Sequence, residues 1–228
     1  MSIIDQITEE IVSRKDGEEV FVVGLSGPDA SGKTQMSKRL IEELQNREVN
    51  ILCIPSDWFH HPKAHRRAAA GEPHEQFLYD TINFDRLVEE VLEPVRNKAD
   101  RIKFTHFNVD ADEGVEKTIE LEYPLVLLIE GIFLFQPKLI DYFDFKVYLD
   151  VAPGETIDRA IDRDAYRFGE ADKVTERYIS KYNKGQALHR ELHKPLELAD
   201  WIVDNNDWKN PKLTPLWNET QKVQTRDQ

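Results

Sequence analysis

Eight consecutive residues, Gly27-Pro28-Asp29-Ala30-Ser31-Gly32-Lys33-Thr34, carry the pattern G-x-x-x-x-G-K-[ST]. Glycines let the chain turn so that successive backbone N–H groups, here those of Asp29, Ala30, Ser31 and Gly32, face phosphate oxygens. Lys33 can bridge the β- and γ-phosphates of a nucleotide, and the Thr34 hydroxyl can ligate Mg²⁺. A bare glycine turn joining a strand to a helix is the bland alternative. Context argues against it: a β-branched run, Glu19 to Leu25, precedes the loop, and Met36, Leu40, Ile41 and Leu44 follow at helical spacing. The chemistry implied is the handling of ATP with Mg²⁺.

A phosphate loop fixes nucleotide binding and leaves the reaction open. A GTPase needs D-x-x-G and N-K-x-D; Asn183-Lys184-Gly185-Gln186 misses the final acid and lies in a predicted helix. A remodelling ATPase usually has a longer chain with sensor elements. A metabolite kinase needs a carboxylate at the acceptor hydroxyl, an acid near the metal, and mobile cations over the transferring phosphoryl group. Asp57, just past the second predicted strand, is the candidate base; its alternative is a loop acid or helix cap. Glu130 ends the most apolar strand and precedes Gly131, which would let backbone and ligand approach closely. A metal or water contact is expected for Glu130, against a strand-end acid turned to solvent. Arg159, Arg163 and Arg167, spaced by four, share one helix face. They suit a lid closing over ATP, with Arg159 on the nucleotide and Arg163 and Arg167 at the transferring group. A surface ladder paired with Glu155, Asp158, Asp162 and Asp164 is the alternative.

These residues need a scaffold. The strand–loop–helix–strand unit over Glu19 to Ile54, with further strands at Leu125 to Ile129, Phe145 to Leu149 and Trp201 to Val203, predicts a parallel sheet between helices. Ile3, Ile4, Ile7, Ile11 and Val12 form an amphipathic lead-in helix. Phe84, Leu87, Val88, Val91, Leu92 and Val95 line one face of another, capped by Asn83. Arg101 to Phe107 and Lys117 to Glu122 read as a hairpin around an acidic turn. Helices are expected over 154–167 and roughly 173–192. Residues 1–207 thus read as one domain, with a hairpin insert at about 101–122 and a lid at about 154–192, followed by a tail at 208–228.

The phosphate loop, Asp57-Trp58-Phe59, Tyr79-Asp80 with Asn83-Phe84-Asp85, Ile129-Glu130-Gly131, Arg163-Asp164 and the closing His189 … Pro195 … Ala199-Asp200 occur in the order seen in one family. Over roughly residues 20–205 the chain resembles the uridine kinase and phosphoribulokinase family, and the uridine–cytidine kinases most. The resemblance implies an α/β fold of the nucleoside monophosphate kinase type: a five-stranded parallel sheet, a hairpin and a helical lid. It implies that Asp57 is the catalytic acid and that Asp80 binds ribose hydroxyls, the alternative for Asp80 being a turn or cap residue. Three positions depart from the family: His60 where a Tyr is usual, Arg177 where a lid-side Gln is expected, and a hairpin without the Tyr and His that surround the pyrimidine. The phosphoryl-transfer set is intact and the base-reading set is not. A nucleoside is the first acceptor by this resemblance; another riboside, pantothenate or a sugar phosphate are alternatives.

The net charge of −13 argues against a general DNA or RNA binder. No apolar run approaches bilayer length, the N-terminus lacks a signal-peptide core, and the lone Cys53 suits a reducing compartment, so cytoplasm is expected. His60, His61, His65 and His74 fit no standard zinc spacing. Arg66-Arg67 suits an anionic substrate or a solvated turn. Trp58 and Phe59 suit a base stack or sheet-edge packing, and Tyr178 and Tyr182 suit core. Trp208 and Trp217 suit docking on the domain or a contact between copies in a homo-oligomer.

Overall fold

Ser2 starts the first helix: its hydroxyl accepts from the Asp5 amide, and the Asp5 carboxylate accepts from the Ser2 amide. A computed structural model describes residues 1–215, apart from the side chains of Arg167 and Phe168. Helix α1 (Ile3–Arg14) leads into β1 (Val20–Ser26), α2 (Lys33–Asn46) and β2 (Ile51–Pro55). After a 3-10 turn, Ser56–Phe59, come two short helices, α3 (Lys63–Ala68) and α4 (Pro73–Tyr79). Sequence periodicity does not announce this pair, because α3 buries nothing and α4 buries only Phe77 and Leu78.

Asn83 caps the next helix as expected, its side chain accepting from the Arg86 amide at 3.1 Å. Segments α5 (Phe84–Leu87) and α6 (Glu93–Arg96) are joined through a π turn, Val88–Leu92. Pro94 lacks an N–H, so the ladder must skip there, and the Glu93 amide bonds Val88 O one residue further back than in an α-helix. The hairpin follows as β3 (Arg101–Asn108) and β4 (Glu113–Glu120), in the register Phe107↔Gly114. Its second strand begins earlier than the apolar pattern suggests, since β4 is exposed on nearly every residue.

Strand β5 (Leu125–Gly131) and β6 (Phe145–Asp150) complete the sheet centre, and α7 (Pro153–Phe168) and α8 (Ala171–Arg177) begin the span expected as a lid. A π turn, Tyr178–Tyr182, connects to α9 (Asn183–His193), α10 (Pro195–Leu198), β7 (Trp201–Asp204) and β8 (Lys212–Pro215). The sheet order is β2-β5-β1-β6-β7-β8. The first five strands are parallel, as expected; β8 adds an antiparallel sixth to β7. Within the unpatterned tail of the sequence, Lys212–Pro215 therefore corrects to a short edge strand. With four residues and only Leu213 half-buried, it carries no readable alternation.

Strands β1 and β5 are buried throughout. Val20 and Val22 face one core and Phe21, Val23 and Leu25 the other, which is why the run is continuously apolar. Helices α1 and α2 cover the second core, and α4 to α6 cover the first. The lid has a small core of its own, Ala160, Val174 and Tyr178, against which Ala30 of the phosphate loop packs. Among the described residues no helix is long and apolar enough to cross a membrane.

Candidate active site

The phosphate loop runs from the end of β1 into the N-terminus of α2. Gly27 and Gly32 have φ of +157° and +97°, and Ala30 also lies in the left-handed region at +56°. A Cβ on Gly27 would sit 2.6 Å from Leu149 O, and one on Gly32 2.8 Å from Asn205 Nδ2. Gly32 is the helix cap and no side chain covers the first-turn amides, which leaves them as donors for an anion. Lys33 Nζ donates to Gly27 O at 3.0 Å and Pro28 O at 2.8 Å. The ammonium thus curls over the concavity whose rim it shares.

Asn205, past β7, ties this loop down by donating to Ser31 O at 2.7 Å. Arg159 from α7 donates to Asn205 O at 2.6 Å and Asn206 O at 2.9 Å, and reaches Ala30 O and Ser31 O at 3.5 Å. One guanidinium therefore joins the lid, the loop and the exit of β7. Asn205 escaped the sequence reading; its only signal is a buried polar residue directly after the last predicted strand.

Glu130, buried at the end of β5, meets Thr34: Thr34 Oγ1 is 3.2 and 3.3 Å from its two carboxylate oxygens. Burial pushes the Glu130 carboxyl above its ordinary range, against the pull of Lys33. Burial likewise raises Asp29, with Lys33 and Arg163 opposing. It lowers the Lys33 ammonium, while Asp29, Asp57 and Glu130 act to keep the proton on. The Thr34–Glu130 hydroxyl–carboxylate pair suits a divalent cation shared with phosphate oxygens. Among the described residues no group of three or more His, Cys, Asp or Glu is placed to hold a metal ion by itself, the histidine-containing loop included.

Asp57 is exposed in the 3-10 turn after β2. Its turn is held in two ways. His60 Nδ1 donates to Asp57 O at 2.8 Å. Gly131 lets β5 approach from below, since a Cβ there would lie 1.8 Å from Ser56 Oγ. The close approach at Gly131 is thus to Ser56, a correction to the expectation that it admits a ligand.

Beyond Asp57 the chain folds against residues 81–83, with His60 bridged to Ile82, the His61 amide bonded to Thr81 O at 3.0 Å and the Asn83 amide to Phe59 O at 2.7 Å. This pairing sets Asp80, at the end of α4, 3.6 Å from His65 Nε2, and His65 stacks on His61 at 3.9 Å. Phe59 is core. Trp58 packs on Phe104 at 5.8 Å and His106 at 4.7 Å, so its ring closes the wall between this turn and the hairpin.

In the lid, Arg163 grips its neighbour Asp164 with two hydrogen bonds of 2.7 and 2.8 Å and donates to Tyr178 Oη at 3.0 Å. Tyr178 in turn donates to Asp164 Oδ2 at 3.1 Å, from a fully buried position. Asp164 foremost holds the guanidinium protonated well above its ordinary range. Arg163 thus pairs with one acid of the surface-ladder alternative, and its half-exposed guanidinium also acts on Asp29 and Lys33 of the phosphate loop. Arg177 Nε donates to Tyr182 Oη at 3.0 Å, and the Tyr182 ring lies 5.0 Å from that of Tyr178. The Arg167 side chain and Trp217 lie outside the described residues. Trp208 is exposed.

The model of the Phosphoribulokinase / Uridine kinase family matches residues 22–191. The chain belongs to the phosphoribulokinase and uridine kinase family. As a member it is a P-loop kinase, a nucleotide-binding phosphotransferase acting on a small molecule. Relatives in this family include the uridine kinase of Oceanobacillus iheyensis, 25% identical over 92% of this chain and 98% of the relative. The uridine kinase of Bacillus velezensis is 28% identical over 82% and 87%. The solved structure of a possible uridine kinase from Bacillus stearothermophilus superposes with a TM-score of 0.72 at 22% identity, over 88% of this chain and 97% of that one. That last likeness is one of fold.

Proposed function

We propose that this kinase uses Mg-ATP to phosphorylate a hydroxyl of a small metabolite. The observation that carries the reading is the joining of Thr34 to Glu130 beside Lys33, with Asp57 acting on the same ammonium. The loop amides and Lys33 hold the phosphates. Thr34 and Glu130 would hold Mg²⁺, directly or through water; the ion would neutralise charge on the transferring group. Asp57 orients the acceptor hydroxyl and receives its proton, and its exposure suits that task. Arg163 serves the transferring group, a role also expected of Arg167 from its sequence position, and Arg159 braces the loop that holds the nucleotide. Asp80 serves the acceptor's remaining hydroxyls, with His60 and Arg177 as further contacts to the acceptor.

A nucleoside such as uridine or cytidine heads the acceptors, on the strength of the relatives. A second reading, another riboside, pantothenate or a sugar phosphate, is favoured by Trp58, whose packing on His106 covers the ring a base would stack on. The test is ADP release with Mg-ATP across these acceptors. Stimulation by one of them supports the kinase and names its substrate. ATP binding with no stimulation by any hydroxyl compound would overturn the reading in favour of a nucleotide-dependent switch.

A further inference from the structure

Among the described residues no strand pairs with the outer edge of β3, since the hairpin is a sheet of two. At Thr105 two side chains take a strand's place. The Glu90 carboxylate accepts from the Thr105 amide at 3.3 Å, and Arg86 Nη2 donates to Thr105 O at 2.8 Å. Arg86 and Glu90, four apart in the segment that Asn83 caps, are joined to each other by two hydrogen bonds of 2.8 Å. Acceptor and donor thus stand side by side, as a neighbouring antiparallel strand would present them. The two side chains are only 25% and 27% exposed, so solvent screens the pair little. On the hairpin's other strand Gly114 leaves room for Thr105, whose Cγ2 a Cβ there would meet at 2.5 Å.

The clip fixes what lies on either side of Thr105. Phe104 and His106 project to the opposite face of β3 from Thr105, where Trp58 stacks on Phe104 at 5.8 Å and lies 4.7 Å from His106. Phe59 meets Phe104 at 5.6 Å, and the Arg86 guanidinium lies 5.5 Å from the centre of the Phe59 ring. The Asn83 amide bonds Phe59 O at 2.7 Å, and the Asn83 side chain caps the helix that carries Arg86. Arg86 therefore touches both partners of a joint, the hairpin strand and the turn Ser56–Phe59 that carries Asp57 and Trp58. A plain i,i+4 ion pair would account for the Arg86–Glu90 bonds, but for neither the match to Thr105 nor the seat on Phe59.

We propose that Arg86, held by Glu90, is a positioning residue for the acceptor: it sets the hairpin against Trp58 and so fixes the wall beside Asp57. The inference rests on the reading of the Asp57 side as the acceptor pocket, and it names the device that holds that pocket's wall in place. The side-chain hydrogen bonds of Arg86 and Glu90 run to each other and to the hairpin, so acceptor binding depends on them and nucleotide binding does not.

The test sets Arg86→Lys, Glu90→Gln and the exchanged pair Arg86→Glu, Glu90→Arg beside the wild type, by ADP release and thermal melting. Uridine is the acceptor, or whichever of cytidine, pantothenate and ribose 5-phosphate stimulates in its place. Lysine keeps the charge and loses the fork; the exchanged pair keeps the ion pair but turns a carboxylate on Thr105 O. All three should raise the acceptor KM tenfold or more and leave the KM for Mg-ATP within twofold. The exchanged pair should do so even where it melts like the wild type. An unchanged acceptor KM, an equal rise in both KM values, or an exchanged pair with the wild-type acceptor KM would overturn the positioning role. If no acceptor stimulates the wild type, the kinase reading fails, and fluorescence decides the role separately. Iodide quenching of Trp58 is read as the difference between each protein and the same protein carrying Trp58→Phe. Quenching at least twofold stronger in Arg86→Lys and in the exchanged pair supports the joint, and quenching equal to that of the wild type overturns it.

Discussion

Replacing Gly131 by alanine should uncouple stability and turnover from any contact with ligand. An ideal Cβ at this position lies 1.8 Å from Ser56 Oγ and 2.7 Å from Ser56 Cβ. Carbon atoms settle at roughly 3.5 Å, so rotating the hydroxyl away is insufficient and Ser56 itself must move by close to an ångström. Overpacking of this kind costs about 1–3 kcal/mol, and at this chain length each kcal/mol lowers Tm by about 2–4 °C. Ser56 immediately precedes Asp57, so the displacement passes to the proposed base. A misplacement near 1 Å lowers turnover on the order of 10²-fold. Ser56 Oγ is buried and makes no hydrogen bond, so removing it strands no partner. The double variant Gly131→Ala, Ser56→Gly should therefore recover most of the lost kcat. Thermal melting and steady-state ADP release on the two variants decide the matter. Wild-type Tm and kcat in Gly131→Ala, or no recovery in the double variant, would refute the coupling of β5 to the Asp57 turn.

Two further outcomes follow from buried titratable groups. Glu130 has a folded-state pKa above its unfolded value, so its ionised form costs stability at neutral pH. Glu130→Gln should raise the melting temperature near pH 7, with the difference closing in acid, while Mg²⁺-dependent turnover falls; a lowered Tm at pH 7 would contradict this. His189 is fully buried, its ring nitrogens make no hydrogen bond of normal geometry, and burial pulls its pKa down to about 3. The unfolded chain then takes up the proton first, so stability falls as pH drops from about 6.5 towards 3, by roughly 1.4 kcal/mol per pH unit. Between pH 7 and pH 5 the wild type should lose about 2 kcal/mol more than His189→Leu in denaturant titrations. Equal losses would show that the histidine does not carry the dependence.

Much of the framework is written in local pattern. A motif flanked by a continuous apolar run and a 3.6-residue period identifies β1, the phosphate loop and α2, because all three are specified by neighbours in sequence. Asn83 as a cap and Glu130 at a strand end are legible for the same reason. The rest depends on contacts between remote residues. Gly131 announces a close approach without saying that the partner is Ser56. Asn205 becomes part of the loop only when β7 lies beside β6. The short α3 and α4 bury too little to show a period, and β8 is too short to show alternation. Pro94 explains one π turn, whereas the turn at Tyr178–Tyr182 has no such marker, and with it the meeting of Arg177 and Tyr182 stays hidden in the sequence.

The assignment of Asp57 as the group that takes the acceptor's proton is the centre of this account. Asp57→Asn keeps the side chain's size and removes its basicity, and the turn that carries it is held by His60 and Ser56 rather than by the carboxylate. The direct measurement is acceptor-dependent ADP release by this variant beside calorimetric binding of Mg-ATP. The account predicts Mg-ATP affinity within about twofold of the wild type and turnover lowered on the order of 10²–10⁴-fold. Turnover near that of the wild type would remove Asp57 from the reaction.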